Sequence, residues 1–362
     1  MKRQKLKFWL LFLAAGAIFA ACEGPAGITG LNGADGAPGA DGSDGTDGVD
    51  GNSTCLQCHT STNMDNKETQ YELSTHGMSG IMYNGDPVYI YAGRGDNRKS
   101  CAPCHTHEGF VEVQFTGRDT LTASLAAPTR IECKTCHADH LTFDQENDGV
   151  DYALRTTEAV TVPLLDGTTQ VIDFNSNSNL CASCHKPRAI NPILVADAEG
   201  NYTVPSVRFG PHHGPQASVL EGINGYEFPG ISGLEPYPTS GDGAHRKAGC
   251  TACHMEEFSN QSGGHAFFPN KANCTTCHSV TDDFDYNGTK AEIEALFEEL
   301  GALLLAKGMI TETGATIEDA IYPIDDAGAL FNYRTILEDR SMGIHNPEYV
   351  KALLENSITV IE

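Results

Sequence analysis

The sequence predicts a mainly α-helical chain with extensive loop and little β-structure. Three observations carry that expectation. A Cys-x-x-Cys-His pattern recurs six times between residues 55 and 278, and the stretches between copies are rich in Gly, Pro, Asn and Asp, residues that favour turns. Beyond residue 289 apolar side chains return at helical spacing. The chain has 362 residues and a formal charge of -25, a length that allows roughly two domain-sized units. Such acidity argues against nucleic acid as a partner, because phosphate binding needs a basic patch.

Lys2, Arg3, Lys5 and Lys7 precede an apolar run from Phe8 to Ala21, the layout of a secretory signal. The run is shorter than the ~20 residues of a membrane-spanning helix. It ends in Phe19-Ala20-Ala21-Cys22, which resembles the bacterial lipoprotein cleavage box, with Phe19 where Leu is usual. The resemblance implies that residues 1–21 are removed and that Cys22 carries lipid. Several acyl chains on one residue exceed the roughly two-signal threshold for stable anchoring. The expected location is therefore outside the cytoplasm, membrane-anchored, at the outer membrane and cell surface or in the periplasm.

Residues 22–53 come next. Glycine occupies every third position from Gly24 to Gly51, the period of a collagen triple helix, in which only Gly fits at the axis. Only Pro25 and Pro38 add polyproline preference, while Asp35, Asp41, Asp44, Asp47 and Asp50 would stack like charges in a trimer. An extended spacer is the favoured expectation and homotrimerisation through the stalk the alternative; extended, it would reach on the order of 90 Å.

Residues 54–288 hold the repeated motif: Cys55-Cys58-His59, Cys101-Cys104-His105, Cys133-Cys136-His137, Cys181-Cys184-His185, Cys250-Cys253-His254 and Cys274-Cys277-His278. The Cys and His frequencies of the chain give about 0.02 such motifs by chance. Two thiols separated by two residues can form thioethers with both vinyl groups of one porphyrin, and the following His reaches the iron. Zinc sites built from Cys-x-x-Cys pairs, or a disulfide framework, leave the invariant His unexplained. The motifs predict six covalently bound haem c groups. Of the 13 cysteines, twelve are then used and Cys22 remains.

Eight histidines are left for the opposite faces of six irons: His76, His107, His140, His212, His213, His245, His265 and His345. Iron with two protein ligands transfers electrons, whereas an open position can bind substrate. The supply permits bis-His ligation throughout, so Met64, Met78, Met82, Met309 and Met342 are not needed as ligands. His140 follows His137 by three residues and should serve a neighbouring haem. His212 and His213 sit in a rigid Gly-Pro-His-His-Gly-Pro-Gln frame, and His345 precedes Asn346-Pro347, a cap and first-turn Pro.

These segments resemble those of bacterial multihaem c-type cytochromes of periplasmic or extracellular electron transfer, including filament-forming ones. The resemblance rests on Ser-x-His at His76, Cys-x-x-Cys-His-x-x-His ending at His140, His-His-Gly-Pro-Gln, His254-Met255, Gly-Gly-His-x-Phe at His265 and the late His-Asn-Pro. It implies that His76, His140, His245, His265, His345 and one of His212 and His213 are distal ligands, with His107 spare. No Cys-x-x-Cys-Lys motif of the pentahaem nitrite reductases occurs. The expected role is electron transfer rather than catalysis, with redox proteins or an extracellular acceptor as partners. Reduction of a small nitrogen or sulfur oxyanion, and a place in a filament, are the alternatives.

The motifs are too close together for each haem to own a domain, so the expected fold is a multihaem cytochrome organised around a chain of six haems. Val160–Val162 and Gln170–Ile172 predict a hairpin about Asp166-Gly167. Residues 289–362 form a helical segment packed on the haem region. Its first helix spans 289–307, opened by a capping box of Thr289 and Glu292 and stopped by Gly308. Two more helices follow, at about 326–340 and 347–357.

Overall fold

The computed structural model describes residues 51–78, 82–83, 85–239, 241, 243–279 and 284–362. The chain divides into two units, Met1–Gly48 and Val49–Glu362. The signal-like segment, Cys22 and the glycine triplets before Gly51 lie outside the described residues. Gly51 itself opens a helix, Gly51–Cys58.

Helix and loop dominate. Helix α1 (Ser61–Leu73) starts where Thr60 accepts the Asn63 amide at 3.1 Å. Strands β1 (Met82–Tyr83) and β2 (Asp86–Pro87) form a minimal ribbon. Helix α2 (His107–Thr116) is capped by Thr106, whose hydroxyl accepts the Gly109 amide at 2.9 Å, and ends at the left-handed Gly117. Strands β3 (Val160–Pro163) and β4 (Thr169–Ile172) pair antiparallel, Val160 opposite Ile172 and Val162 opposite Gln170, about the predicted Asp166-Gly167 turn. Strand β5 (Asn201–Thr203) pairs with the distant β6 (Ile321–Pro323), tying the middle of the chain to its C-terminal part. Sheet among the described residues is limited to these three two-stranded ribbons.

Helix α3 (Ala244–His254) breaks at Gly249, where φ is 65°. A Cβ there would lie 2.5 Å from the Ser178 hydroxyl oxygen. The bare backbone lets that hydroxyl accept the Cys250 amide at 2.9 Å, which locks the fifth motif against the fourth.

Helices α4 (Thr289–Ala306), α5 (Ile324–Asp339) and α6 (Pro347–Ile361) carry the densest apolar packing. The capping box expected at Thr289 is absent. Gly288 is the cap, and the Asp285 carboxylate accepts the Lys290 amide at 3.0 Å in its place. An acid upstream took the job because the chain enters through a left-handed Gly288, which moves Thr289 into the helix. The C-terminus is a Schellman motif: Met309 N–H donates to the Leu304 carbonyl and Gly308 N–H to that of Leu305, each at 2.9 Å. Asn346 caps α6 and accepts the Tyr349 amide at 3.2 Å.

Ile293, Leu300, Leu304, Leu330, Phe331, Leu353 and Leu354 are buried together with Val204, Phe209, Val219 and Phe228. Residues on both sides of position 289 thus share one core. Asn332 staples it, receiving the Tyr226 amide at 2.7 Å and donating to the Tyr226 carbonyl at 2.9 Å. A smaller cluster joins the β3–β4 hairpin to Phe174, Ala182 and Leu220.

Candidate functional site

Each Cys-x-x-Cys-His segment lies on or at the end of a single helical turn. In an α-helix positions i, i+3 and i+4 share a face, so one turn presents two thiols and one imidazole in the same direction. The turn is closed by its own histidine in four motifs. His59, His137, His185 and His278 donate their amides to the carbonyl of the first cysteine at 2.8–2.9 Å.

Every one of these histidines faces one imidazole from elsewhere in the chain. His59 faces His140, with ring centres 5.9 Å apart, and His105 faces His212 at 6.2 Å. His137 faces His265 and His185 faces His76, both at 6.2 Å. His254 faces His345 at 6.4 Å, and His278 faces His245 at 5.9 Å. A ligating imidazole nitrogen sits about 2.0 Å from its metal and about 1.1 Å from its ring centre, so two imidazoles on opposite sides of one iron have centres about 6.2 Å apart. The spacing of all six pairs fits a metal held between them.

The far ring nitrogens are oriented by the chain. His137, His245 and His254 direct Nδ1 to the carbonyls of Tyr152, Ile344 and Phe267 at 2.8, 2.7 and 2.8 Å. A carbonyl only accepts, so Nδ1 carries the proton and Nε2 keeps its lone pair for a metal. His185 Nδ1 meets the Gln216 amide oxygen at 3.3 Å, and His345 Nδ1 meets an Asp339 carboxylate oxygen at 2.7 Å. Burial, helped by His185, pushes the His76 pKa down to about 4. Burial does the same to His105 and His265, and takes His212 to about 3. All four are held neutral, the form that ligates. At His345 burial acts downward, but Asp339 turns the net shift upward.

A cavity of about 3040 Å³ connects the pairs, roughly three times the upper end of ordinary ligand pockets. It is lined by every histidine of the pairs, by His213 and by all the motif cysteines except Cys55. His107 does not line it; its Nδ1 lies 3.0 Å from the Thr135 hydroxyl. Of the two adjacent candidates, His212 meets a motif histidine, and His213 instead bonds Glu338 at 2.7 Å. The left-handed backbone of His212, φ 69°, turns the two rings to different tasks. Among the described residues no cluster of three or more His, Cys, Asp or Glu could hold a metal, as a structural zinc site would require.

The motifs also meet one another. The Cys184 thiol lies 3.9 Å from the Pro103 carbonyl of the second motif, and the Cys250 amide donates to Ser178 beside the fourth. Asn273, just before the sixth motif, donates to the Cys253 carbonyl of the fifth at 3.1 Å. His140, three residues from the third motif, faces the first. The first motif therefore meets the third, the second and fifth both adjoin the fourth, and the sixth adjoins the fifth.

Sequence reasoning did not find Gln216, Glu338, Asp339 or Phe267 as supporting residues. Phe267 stands 5.3 Å from the His76 ring and 5.8 Å from that of His265. Gln216 and Phe267 lie inside the quoted His-His-Gly-Pro-Gln and Gly-Gly-His-x-Phe segments, whereas nothing in the sequence marks Asp339.

No protein-family model matches the chain. Over 337 residues it is 24% identical to the C-type polyheme cytochrome OmcC of Geobacter sulfurreducens, an alignment covering 73% of this chain and 43% of that protein. The chain thus spans less than half the length of this curated relative. Among solved structures it is similar to the Outer Cell Wall Cytochrome OcwA, with 18% identity and a TM-score of 0.49 over 82% of this chain and 50% of that one.

Proposed function

We propose that this chain is an exported six-haem c-type cytochrome that passes electrons through bis-His haems as a membrane-tethered carrier. The one-to-one facing of six motif histidines with six other imidazoles supports this most directly. The cysteine pairs would hold haem covalently. His59, His105, His137, His185, His254 and His278 would be the proximal ligands; His140, His212, His265, His76, His345 and His245 would be their respective distal partners. When bound, each haem supplies an iron that accepts and releases one electron. The chain's part is to keep His76, His105, His212 and His265 neutral through burial, to aim the Nε2 of His137, His245 and His254, and to wall the shared cavity.

Two imidazoles per iron leave no ligand position for substrate, which favours a carrier over a reductase. All six pairs form within one chain, so neither a filament contact nor a donated histidine is needed to complete them. All-His ligation gives low potentials relative to His/Met. The similarity to a polyheme cytochrome is in keeping with this reading, and the lipid-linked Cys22 and glycine-repeat spacer remain part of it on sequence grounds alone. Among the described residues no helix is long and apolar enough to cross a membrane. Partners would be redox proteins or an extracellular acceptor.

The experiment is haem quantification per chain, followed by spectra before and after adding nitrite or hydroxylamine. Six haems with unchanged spectra are expected. A high-spin haem that responds to either compound would overturn the carrier reading.

A further inference from the structure

The six imidazole pairs are not supported alike. His137, His245 and His254 donate to backbone carbonyls and His185 meets a side-chain amide, all neutral acceptors. Among the described residues, His345 is the paired histidine with a carboxylate oxygen within hydrogen-bond distance, Asp339 Oδ1 at 2.7 Å. His140 has Asp151 nearby, but at 3.6 Å, and Asp151 already accepts the amides of Thr142 and Ala153 at 3.1 and 2.7 Å.

Asp339 sits where an acid is costly. Its side chain is 1% exposed, and burying a carboxylate without a partner is strongly unfavourable. It is also the last residue of α5, at the negative end of the helix dipole. No Lys or Arg among the described residues forms an ion pair with it; Arg334, one turn earlier, pairs with Glu338 instead at 3.0 Å. Its second oxygen accepts the Ser341 hydroxyl, which holds the carboxylate in place. What repays this placement is His345. A carboxylate accepting the Nδ1 proton raises the basicity of Nε2, and the buried negative charge favours a positive centre beyond the ring.

Resting on the reading of His345 and His254 as ligands of one haem, we propose that Asp339 is a positioning and tuning residue that sets the haem at Cys250 and Cys253 to the lowest potential of the six. Oxidised iron carries one more positive charge than reduced iron. A better electron-donating imidazole and a nearby carboxylate both stabilise the oxidised state, so the potential falls. The fifth motif lies between the fourth and the sixth, which makes this haem an internal step that electrons must climb. The C-terminal helices would then control traffic through the haem region as well as stabilise it.

The test is spectropotentiometry of the full haem-loaded chain, monitored by optical spectra and by electron paramagnetic resonance. Asp339→Asn should raise the lowest of the six potentials and leave the other five in place. Asp339→Glu should restore the lowered value in part. Ser341→Ala, which frees carboxylate charge for the His345 bond, should move the same haem in the opposite direction and serves where Asp339→Asn does not fold. The signal that shifts should come from the two pairs whose ring planes lie near parallel, since His254 and His345 are 35° apart. An unshifted lowest potential in a six-haem, all low-spin Asp339→Asn protein overturns this inference while leaving the carrier reading intact. Fewer than six haems, or a high-spin haem, in the unaltered protein would instead sink the carrier reading itself.

Discussion

The motif-bearing stretch before residue 160 and the helices after residue 289 are built on different principles. Among the described residues between 55 and 159 the buried side chains of the hydrophobic core are, prolines aside, Tyr71, Ala92, Ala102, Phe110, Leu121 and Ala153, three of them alanines. Across α4 to α6, Ile293, Leu300, Leu304, Leu330, Phe331, Ile336, Tyr349, Leu353 and Leu354 close on one another almost completely. Helices of the second kind are stabilised by burying their own apolar faces. The first stretch instead surrounds a large cavity with short turns, and its natural core is the group the cavity would hold. A cofactor held there would substitute for side-chain packing and would couple folding to loading.

The contrast can be broken most severely by denying the chain its haem. Expressed where no haem is attached, residues 55–159 should lose slow hydrogen exchange, while α4 to α6 retain protected amides. Equal protection in both regions would refute the division. The converse perturbation is Leu353→Ala in the helical core, which should cost about 2–5 kcal/mol. Chemical denaturation followed by helical circular dichroism would record that loss, and the haem spectra of the folded protein should not change.

Smaller effects sharpen the picture locally. His140→Ala should convert one haem in six, the one at Cys55 and Cys58, from low-spin to high-spin. His107→Ala and His213→Ala should convert none, because their rings face Thr135 and Glu338. Conversion by either would reassign the pairs. Smallest is Asn346→Ala, which removes the cap of α6 and should cost about 1 kcal/mol, read as a lowered midpoint in the same denaturation experiment.

What was legible in the sequence follows the same line. The motif is local, and one helical turn suffices to place its three side chains, so Cys133, Cys136 and His137 could be read directly. The apolar period of α4 and the Asn346-Pro347 start of α6 were legible for the same reason. Pairing across the chain was not. His185 and His76 are brought together by the whole fold, and no spacing rule connects them. The choice between His212 and His213 depended on one left-handed residue, and Asp339 is an unremarkable acid until the fold buries it beside His345. At Thr289 a valid local signal lost to Asp285, because the entry direction of the chain is set by tertiary structure.

The most direct test of the central claim, six irons each held between two imidazoles of this chain, is the low-temperature electron paramagnetic resonance spectrum of the oxidised, haem-loaded protein. Four pairs cross steeply, at 69–84°, and two are closer to parallel, at 24° and 35°. Crossed imidazole planes leave two iron d-orbitals nearly degenerate, and parallel planes split them, so the two kinds give different low-spin signals. The account predicts six low-spin haems in a ratio of four to two with no high-spin component. A stoichiometric high-spin signal, or six haems of a single kind, would contradict it.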